Sequence, residues 1–538
     1  MSADSLPCPT PSAADGPIHH LDHLAWPLSA RGVINPDLHL TPLIAQALGL
    51  PEQRIAGYRI SHRSLDARQR QPCLRYRLEV VEGPGPGGRL PCVLLGEQHP
   101  LYQLEPQSNH PRSALIVGSG PAGLMAGLLL ALHGCRPLII DRGRPVGQRA
   151  ADIAALEQGG HCDPDSNYRY GAGGAGTFSD GKLYSSVRDI RARFVTEALV
   201  AAGAPQHILY HHEPHIGSDI LPTMVSRLQQ RIISLGGAFL WQQRVVAVDL
   251  DQPQAPAVVL ADGRRLDAPC LILATGHGDR DLLRHLVAAG LEYSPKPYQI
   301  GCRIEHPQTL IDRCRLHDPR LRHQAGAAFY RLSVRPGADH PGAASFCMCP
   351  GGSIIPAATA DGHLCTNGMS RYRRAGTWAN AALICTQPAT GLAALDRLDA
   401  LEQQAWAAGG GGHRAPAQSA PAFLVGRRDP DCPPGSYPCG MRPARLDHLL
   451  DDHTRRALAA AIRRGERLMP GYLAQGLLVG LETGISSPLR FVRQPVSLSS
   501  SVPGVYLAGE GAGQAGGIMS AAIDGLRVAE AILTATPT

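Results

Sequence analysis

The chain has 538 residues, of which 44% are hydrophobic and 18% charged, with a net charge of +6, 60 glycines and 46 prolines. This length allows two or three domains with a sizeable core, and the glycine and proline content predicts many loops. The positive charge is mild and spread along the chain, and only 5% of the residues are aromatic. Both observations argue against a nucleic-acid-binding surface, so no nucleic acid partner is predicted.

The compartment is predicted from the absence of targeting signals. Residues 1–8 have no basic segment followed by an apolar one, so we expect no secretory leader. The most apolar stretch, residues 114–132, is interrupted by Gly-Ser-Gly-Pro and does not predict a membrane span. The 14 cysteines are scattered without zinc-like spacing, so we predict a cytoplasmic protein with reduced cysteines and no metal site.

Residues 1–108 are predicted to form a small N-terminal α+β domain. Apolar residues recur at helical spacing within 36–50, whereas 54–61 and 74–81 alternate like strands. Residues 64–68 lie between the two predicted strands, and the Gly- and Pro-rich residues 83–88 predict a loop.

A dinucleotide-binding fingerprint follows at residues 113–142. An apolar strand leads into Gly118-Ser119-Gly120-Pro121-Ala122-Gly123, an apolar helix follows, and a second strand ends at Asp141-Arg142. In this motif the first glycine permits a tight turn, the second lets a pyrophosphate approach the backbone, and the third lets helix and strand pack closely. The N–H groups at the helix N-terminus attract phosphate, and the acid would accept hydrogen bonds from a ribose. The predicted cofactor contacts here are Gly118, Gly120, Pro121, Ala122, Gly123, Asp141 and Arg142.

A second glycine-rich segment at residues 170–183 has a different interpretation. It also matches G-x-G-x-x-G, but polar residues precede it and no apolar helix follows, so a second Rossmann unit is rejected. We interpret it as a loop whose backbone at Gly174, Ala175 and Gly176 lies against a flat ligand. Lys182 would then lie near this ligand or the substrate; the alternative is a solvated surface lysine. Lys182 and Lys296 are the only lysines among 51 basic residues. They either occupy positions where a guanidinium cannot replace an ammonium or survive by chance.

Two further segments extend the predicted nucleotide site. Residues 264–276 read as a hairpin strand that ends in Ala274-Thr275-Gly276, with His277 as a turn residue near the cofactor. Val246, in the preceding strand-like run, would lie beside the adenine.

The C-terminal segment indicates which dinucleotide is bound. A short strand at 504–508, a glycine-rich loop and a final helix form the second signature of large FAD proteins, and the helix dipole would favour reduced flavin. The predicted contacts are Gly509, Glu510, Gly516, Gly517 and Ile518. We therefore predict FAD as the cofactor.

The region between these segments offers candidate catalytic residues. Arg303, Glu305 and His306 alternate in a strand-like run, and Glu305 or His306 could act as an acid or base; the alternative is a structural Arg303–Glu305 pair. Cys347 and Cys349 flank Met348, a spacing that rarely forms a relaxed disulfide, so buried apolar cysteines are the favoured interpretation.

Several motifs together resemble a bacterial family of uncharacterised FAD-dependent dehydrogenases. They lie at residues 64–68, 167–183, 214–219, 296–307, 345–352 and 509–522, so the resemblance covers nearly the whole chain. It implies FAD and a glutathione-reductase-type FAD domain, with a more distant similarity to geranylgeranyl reductases, and it supplies no substrate. Ala172 stands where an acid is expected in the glycine-rich loop, so any role of that acid is absent here.

These observations predict an α/β fold with a Rossmann-type FAD-binding domain, a mixed α+β substrate domain and the small N-terminal domain. The predicted boundaries are 1–108 for the N-terminal domain, 109–295 and 476–538 for the two parts of the FAD domain, and 296–475 for the central substrate domain. The predicted function is an FAD-dependent oxidoreductase, a dehydrogenase or reductase that transfers hydride between flavin N5 and a small organic substrate, with Lys182, Glu305 and His306 as catalytic candidates. An NAD(P)H- and O2-dependent monooxygenase and a flavin-binding RNA-modification or scaffold protein stay open, as does NAD(P)H as a transient reductant.

Overall fold

A computed structural model of the chain describes residues 17–68, 70–106, 113–184, 187–250 and 256–534. Residues 1–8, used above to predict the absence of a leader, and the boundary predicted at 108 lie outside the described residues. Among the described residues, no helix combines the length and the apolar character needed to cross a bilayer.

The strands are β1 (Ile18–Pro27), β2 (Ile55–Asp66), β3 (Cys73–Glu82), β4 (Gly88–Arg89), β5 (Ser113–Val117), β6 (Arg136–Ile140), β7 (Ala238–Leu240), β8 (Val245–Asp249), β9 (Ala257–Leu260), β10 (Arg265–Asp267), β11 (Leu271–Leu273), β12 (Tyr293–Pro295), β13 (Tyr298–Pro307), β14 (Ser333–Val334), β15 (Ala343–Cys349), β16 (Ser353–Pro356), β17 (Thr366–Met369), β18 (Trp378–Gln387), β19 (Ala415–Ser419), β20 (Met441–Pro443), β21 (Leu477–Glu482), β22 (Leu489–Phe491) and β23 (Val505–Leu507).

The helices are α1 (Thr41–Leu48), α2 (Pro121–Leu132), α3 (Val146–Glu157), α4 (Arg191–Ala201), α5 (Leu221–Ser234), α6 (Arg280–Ala288), α7 (Gln308–Leu316), α8 (Arg322–Ala325), α9 (Leu392–Gly409), α10 (Ala420–Val425), α11 (Leu446–Leu449), α12 (Asp452–Leu468) and α13 (Ile518–Thr534).

The first of two compact units contains residues 17–94 together with 209–213 and 316–326. Its four-stranded sheet has the order β1-β3-β2-β4, and α1 packs on β1 and β2. The helix and the strands β2 and β3 were predicted from the sequence, whereas β1 was not, and 64–66 belong to β2 rather than to a connection. A buried carboxylate organises the interior, because Asp37 accepts hydrogen bonds from the hydroxyls of Tyr76 and Tyr210 and from Arg63.

The second unit contains residues 95–208, 214–315 and 327–534. Its five-stranded parallel sheet has the order β7-β6-β5-β11-β23. If these five strands are numbered 1 to 5 along the sequence, the order across the sheet is 3-2-1-4-5. This order and the helix after the first strand confirm the predicted Rossmann-type α/β fold. A larger sheet, β14-β15-β18-β13-β21-β19-β20, forms the central part, with α12 and α9 packed against it.

Apolar side chains cover both faces of the parallel sheet. One core joins the sheet to α2, α4, α5 and α13, and the other joins it to α6 and the small sheet β8-β9-β10. The predicted hairpin strand at 264–276 is wrong in one respect, since β10 pairs with β9 in the small sheet whereas β11 pairs with β5 and β23. Ala268 turns the chain from one sheet to the other, and its N–H donates to the Pro256 carbonyl.

The close crossing of α2 and α13 depends on a glycine. A Cβ atom on Gly525 would lie 2.1 Å from the carbonyl oxygen of Ala122, a backbone atom that cannot move aside without shifting the helix. We expect Gly525→Ala to lower the free energy of unfolding by about 1–3 kcal/mol. Urea denaturation measures the change. Gly147→Ala is the control, because that exposed glycine in α3 has nothing within 4 Å of its added Cβ; equal stability of the two variants would show that α2 and α13 do not meet so closely.

Candidate FAD site and adjoining polar cluster

The loop between β5 and α2 lies at the point where the strand order of the parallel sheet reverses. Gly118 has a φ of +102°, and a Cβ there would lie 2.4 Å from the Ala274 carbonyl oxygen at the end of β11. Gly123 is equally confined, because its Cβ would lie 2.0 Å from the Gly118 carbonyl oxygen. Gly120 differs: the nearest atom to its added Cβ is the Gly174 Cα at 3.9 Å. The space beside Gly120, at the α2 N-terminus, therefore fits a pyrophosphate.

The carboxylate at the end of β6 braces this loop. Asp141 Oδ2 accepts hydrogen bonds from the Ser119 N–H at 2.9 Å and the Ser119 hydroxyl at 2.6 Å, while Oδ1 accepts from the Gly143 N–H at 2.9 Å. A carboxylate oxygen can accept two hydrogen bonds, so Oδ1 keeps capacity for a ribose hydroxyl. Asp141 thus holds the loop in place, and its contact with ribose stays a prediction.

We expect Asp141→Ala to weaken FAD binding by about 1.5–3 kcal/mol, because a charge-assisted hydrogen bond to the ribose and the bracing of Ser119 are both lost. Asp141→Asn keeps the size but replaces one acceptor oxygen by a donor, and should weaken binding less. Isothermal titration of the apoprotein with FAD measures both changes. An unchanged dissociation constant in Asp141→Ala would show that this acid only ends a strand.

The second glycine-rich segment lies against two of the other predicted cofactor segments. Gly174 is close to the first loop, since its added Cβ would be 3.0 Å from the Gly120 Cα. The added Cβ of Gly176 would be 3.3 Å from the Ile518 side chain at the start of α13. A short 3-10 helix, Gly174–Gly176, makes this approach with Ala175 in its middle. The structure thus brings together segments that are far apart in the sequence.

An arginine that the sequence analysis missed holds this segment in shape. Arg149 in α3 is fully buried, and its Nη1 donates to the carbonyl oxygens of Gly171, Ala172 and Gly174. Its Nε donates to the Asn167 carbonyl at 2.9 Å. No local motif marks such an arginine, because its partners lie 18–25 residues away and are backbone atoms.

The predicted C-terminal cofactor segment contains a partly buried pair of an acid and a histidine. Glu510 Oε2 lies 3.1 Å from His277 Nδ1, and Lys296 Nζ donates to the Gly513 carbonyl at 3.3 Å. Burial alone would raise the pKa of Glu510, but His277, the Gly517 N–H and Lys296 together lower it. His277, predicted as a turn residue near the cofactor, and Lys296, noted only as one of two lysines, therefore both contact this segment.

The remaining predicted cofactor contacts differ in how much space the protein leaves beside them for a ligand. Gly517 precedes α13 and Gly276 follows β11, and an added Cβ on either meets nothing within 4 Å. Val246 in β8 is exposed. Arg142, in contrast, pairs with Asp165 and Asp279, and its guanidinium also lies 4.1 Å from the Tyr170 ring centre. Arg142 is thus occupied by protein groups, and its predicted contact with FAD is not retained in our proposal.

The residues present fit FAD. The open space at Gly120 is one such feature. A second is the buried Arg244 Nε in the connection before β8, which has no hydrogen-bond partner among the described residues, as expected of a donor that a ligand would satisfy. The two helix N-termini, of α2 and α13, begin at Pro121 and Ile518 and offer N–H groups to the phosphates and to the flavin.

Lys182 lies in a cluster of charged and sulfur-containing side chains. Its Nζ is 3.4 Å from Asp180 Oδ2, 3.7 Å from Cys347 Sγ and 3.6 Å from Cys349 Sγ. Arg374 also pairs with Asp180, which is almost fully buried. Burial alone would raise the pKa of Asp180, but Lys182 and Arg374 hold it well below its usual range. Cys349 is buried as predicted and Cys347 is partly buried, but their surroundings are not apolar, because an ammonium contacts both sulfurs.

The structure does not bring the other two catalytic candidates to Lys182. Glu305 is 1% exposed, and Ser436 donates to it from both its N–H, at 2.8 Å, and its hydroxyl. His306 is fully buried on the opposite face of β13, where its Nε2 lies 2.8 Å from the Tyr472 carbonyl oxygen. Burial raises the pKa of Glu305 to about 7 and lowers that of His306 to about 4. Among the described residues, no hydrogen bond or ion pair joins Lys182 to either side chain.

The predicted Arg303–Glu305 pair is wrong. Arg303 Nε lies 2.8 Å from Glu482 Oε2, across the pairing of β13 with β21, and both side chains are almost completely buried. Arg303 Nη1 also donates to the Cys347 carbonyl at 2.9 Å. The physical reason is the neighbouring strand, which places a carboxylate nearer to Arg303 than its own strand does.

Comparison with known protein families gives three matches along the chain. Residues 297–484 match the model of a "FAD-dependent protein, C-terminal domain-like" family, and residues 112–150 match an FAD binding domain. Residues 33–81 match a domain of unknown function. The FAD-binding match covers the loop of Gly118–Gly123 and the acid Asp141.

One relative in sequence and two solved structures show how similar this chain is to known proteins. An uncharacterised protein of Clostridium beijerinckii is 36% identical over 429 residues, which cover 78% of this chain and 80% of that protein. The structure of CtdE in complex with FAD is 12% identical, with a TM-score of 0.29, over 78% of this chain and 87% of that one. Glycine oxidase from Geobacillus kaustophilus is 11% identical, with a TM-score of 0.29, over 79% of this chain and 94% of that one.

Proposed function

This chain belongs to an uncharacterised family of FAD-dependent proteins, and on that premise we propose that it is an oxidoreductase acting on a small organic substrate. In this proposal the reaction is the transfer of a hydride between flavin N5 and the substrate. When bound, FAD supplies the two-electron chemistry, and the chain supplies binding, orientation and charge.

One observation carries the proposal: three glycine-rich segments converge at one place. The loop at Gly120, the short helix Gly174–Gly176 and the start of α13 at Ile518 approach within van der Waals distance, with open space beside Gly120. Backbone without side chains on several sides is what a large planar cofactor requires. This convergence supports the proposed FAD site better than any single motif does.

We assign the following roles to the chain. The N–H groups at the start of α2 hold the pyrophosphate, and Asp141 holds the loop and the ribose. Glu510, fixed by His277, contacts the ribityl–pyrophosphate region, and the α13 N-terminus favours negative charge on the flavin pyrimidine ring. Glu305 and His306 receive no chemical step, because both are buried and bound by protein groups.

Lys182 is the one catalytic candidate that we retain. Asp180 fixes its ammonium, and its side chain is still 31% exposed, so it can present charge to a neighbouring ligand. A compact cation near the flavin would stabilise reduced, anionic flavin or a substrate oxygen.

We expect Lys182→Met to lower the reduction potential of the bound flavin by about 30 mV, which for a two-electron couple is a tenfold change in the equilibrium constant. Lys182→Arg keeps the charge but spreads it, so its potential should fall less, while both variants retain FAD. Equilibrium redox titration with a reference dye measures these shifts. Wild-type potentials in both variants would show that Lys182 does not act on the flavin.

The experiment that tests the proposed function is an anaerobic titration of the purified holoprotein. NADH, NADPH and dithionite are added in parallel, and the reduced protein is then mixed with a pool of small organic metabolites or with oxygen. We expect reversible loss of flavin absorbance and reoxidation by the pool without oxygen. Reoxidation that requires oxygen and places one of its atoms in a product would indicate a monooxygenase instead. A flavin that no donor reduces would contradict an oxidoreductase altogether.

A further inference from the structure

Two thiols and an ammonium meet at a break in the central sheet. Strand β15 pairs with β18 through Phe346 and Ala382 and again through Cys349 and Asn380, so β15 carries one extra residue between these pairs. Cys347 lies in this bulge with a φ of +44°, a left-handed conformation that is uncommon outside glycine. Non-glycine residues in such conformations cluster at functional sites, where the surrounding structure holds them in place.

The bulge directs both sulfurs to one partner. Lys182 Nζ donates to Cys347 Sγ at 3.7 Å and to Cys349 Sγ at 3.6 Å, and the Cys349 thiol lies 3.3 Å from the Cys347 carbonyl oxygen. Arg303 Nη1 donates to that same carbonyl at 2.9 Å and fixes the backbone of the bulge. The two cysteines are therefore in contact on the same side of the strand, in spite of a spacing that in regular strand geometry makes a disulfide strained.

The charges around the pair favour one thiolate. A hydrogen bond from Cys349 and the charge of Lys182 lower the pKa of Cys347 well below the usual value of a thiol, whereas the same hydrogen bond raises the pKa of Cys349. The other charged and titratable groups that act on the two thiols are Asp180, Arg303, Glu482 and Tyr330. Asp180 is itself paired with both Lys182 and Arg374, so its negative charge is offset and the net charge near the two thiols is positive.

The two cysteines differ in exposure. Cys347 is a free cysteine of intermediate exposure beside the exposed Phe346, whereas Cys349 is buried behind it. A partly exposed thiolate next to a buried thiol is the arrangement of an attacking cysteine and a resolving cysteine.

We propose that Cys347 and Cys349 form a redox-active dithiol that exchanges two electrons with small-molecule disulfides, with Lys182 as the residue that positions and stabilises the attacking thiolate. The Cys347 thiolate attacks one sulfur of the disulfide R–S–S–R, forming a mixed disulfide and releasing R–S⁻. Cys349 transfers its proton to this thiolate, attacks Cys347 Sγ and releases the second R–S⁻. The dithiol is oxidised to the Cys347–Cys349 disulfide, and R–S–S–R is reduced to R–SH and R–S⁻. This inference does not rest on the proposed action on an organic substrate.

The first test uses the wild-type full chain with whatever flavin it retains. The reduced protein is mixed with bis(2-hydroxyethyl) disulfide, and its remaining thiols are alkylated. The protein is then cleaved with trypsin and with a second protease that cuts on the N-terminal side of aspartate, including Asp361, and the peptides are analysed by mass spectrometry. The second cleavage separates Cys365 from the pair. We expect the peptide with Cys347 and Cys349 to lose two hydrogen atoms and take up no alkyl group. Alkylation of both cysteines after exposure to the disulfide would overturn the proposal.

The second test examines the order of attack and the role of the charge. Cys349→Ser should stop at the mixed disulfide on Cys347, since no resolving thiol remains. Lys182→Met should slow alkylation of Cys347 by iodoacetamide about tenfold or more at about pH 6.5, and should shift the pH profile of that rate upward, because the thiolate loses its cation. Lys182→Arg keeps the cation and should restore most of the rate.

Arg136→Met is the control, because Arg136 is an exposed cation at the start of β6 and is not one of the groups that act on the two thiols. This variant should leave the pH profile of Cys347 alkylation unchanged. Equal profiles in wild type and Lys182→Met would overturn the assignment of Lys182. A wild-type Cys347 that reacts only at the pH of an ordinary thiol, about 8.5, would overturn the attacking thiolate itself.

Discussion

Gly120→Val is expected to abolish FAD binding while the chain still folds. Gly120 has an ordinary φ of −73°, and its added Cβ meets no protein atom closer than 3.9 Å, so the protein alone tolerates a side chain there. The same space is where the pyrophosphate must approach the α2 N-terminus, so a valine would exclude it. We expect the dissociation constant for FAD to rise at least about a hundredfold, or ~2.7 kcal/mol. Flavin absorbance per chain after reconstitution measures this.

Two other glycines provide the controls for this prediction. Gly88→Val changes a glycine that also has open space around its added Cβ, and it should keep full flavin content. Gly123→Val should instead fail to fold, because its Cβ would lie 2.0 Å from the Gly118 carbonyl oxygen. A folded Gly120→Val protein with full flavin occupancy would refute the assignment of this loop.

The stability of the wild-type protein is expected to fall, relative to Glu305→Gln, as the pH rises from about 4.5 to about 7. Burial raises the pKa of Glu305 to about 7 in the folded protein, whereas the unfolded chain ionises near 4.3. Between these values the folded state binds the extra proton, so raising the pH favours unfolding. Over this whole pH range, the free energy of unfolding of the wild type should fall by about 3 kcal/mol relative to Glu305→Gln. Urea denaturation of both proteins across this range measures the difference.

Glu292→Gln serves as the control, because Glu292 is exposed and its replacement should leave the pH dependence of stability unchanged. Parallel curves for wild type and Glu305→Gln would mean that Glu305 is ionised in the folded protein. If the curves instead diverge as expected and Glu305→Gln leaves flavin reduction unchanged, the raised pKa belongs to the anchoring of Ser436 and not to catalysis.

The nucleotide-binding part of the fold could be predicted because its signals are local. Residues 113–142 contain a strand, the glycines, a helix, a second strand and the acid in uninterrupted order. At each glycine position there is a separate steric reason why a side chain would not fit with the cofactor bound. The structure shows those reasons directly at Gly118 and Gly123, whose added Cβ atoms would overlap backbone oxygens. Strand β1, by contrast, was missed, because its histidines and Asp22 mask the alternation that marks a strand.

The cluster around Lys182 could not be predicted because its members meet only after folding. Lys182 lies 165 residues from Cys347 in the sequence, and the bulge that turns both sulfurs toward it leaves no recognisable motif. The predicted partner of Arg303 was wrong for the same reason. Arg303 pairs with Glu482 on the adjacent strand and not with Glu305, two residues away on its own strand. Arg149 is a third case, since its partners are carbonyl oxygens that every residue carries.

A crystal structure of the purified protein with bound FAD tests the central claim most directly. The account predicts that the pyrophosphate oxygens lie within hydrogen-bond distance of the backbone N–H groups at the start of α2, over Gly120 and beside Gly174. It also predicts that the α13 N-terminus at Ile518 faces the flavin. FAD bound with its pyrophosphate away from Gly120, or bound outside the three converging segments, would contradict it.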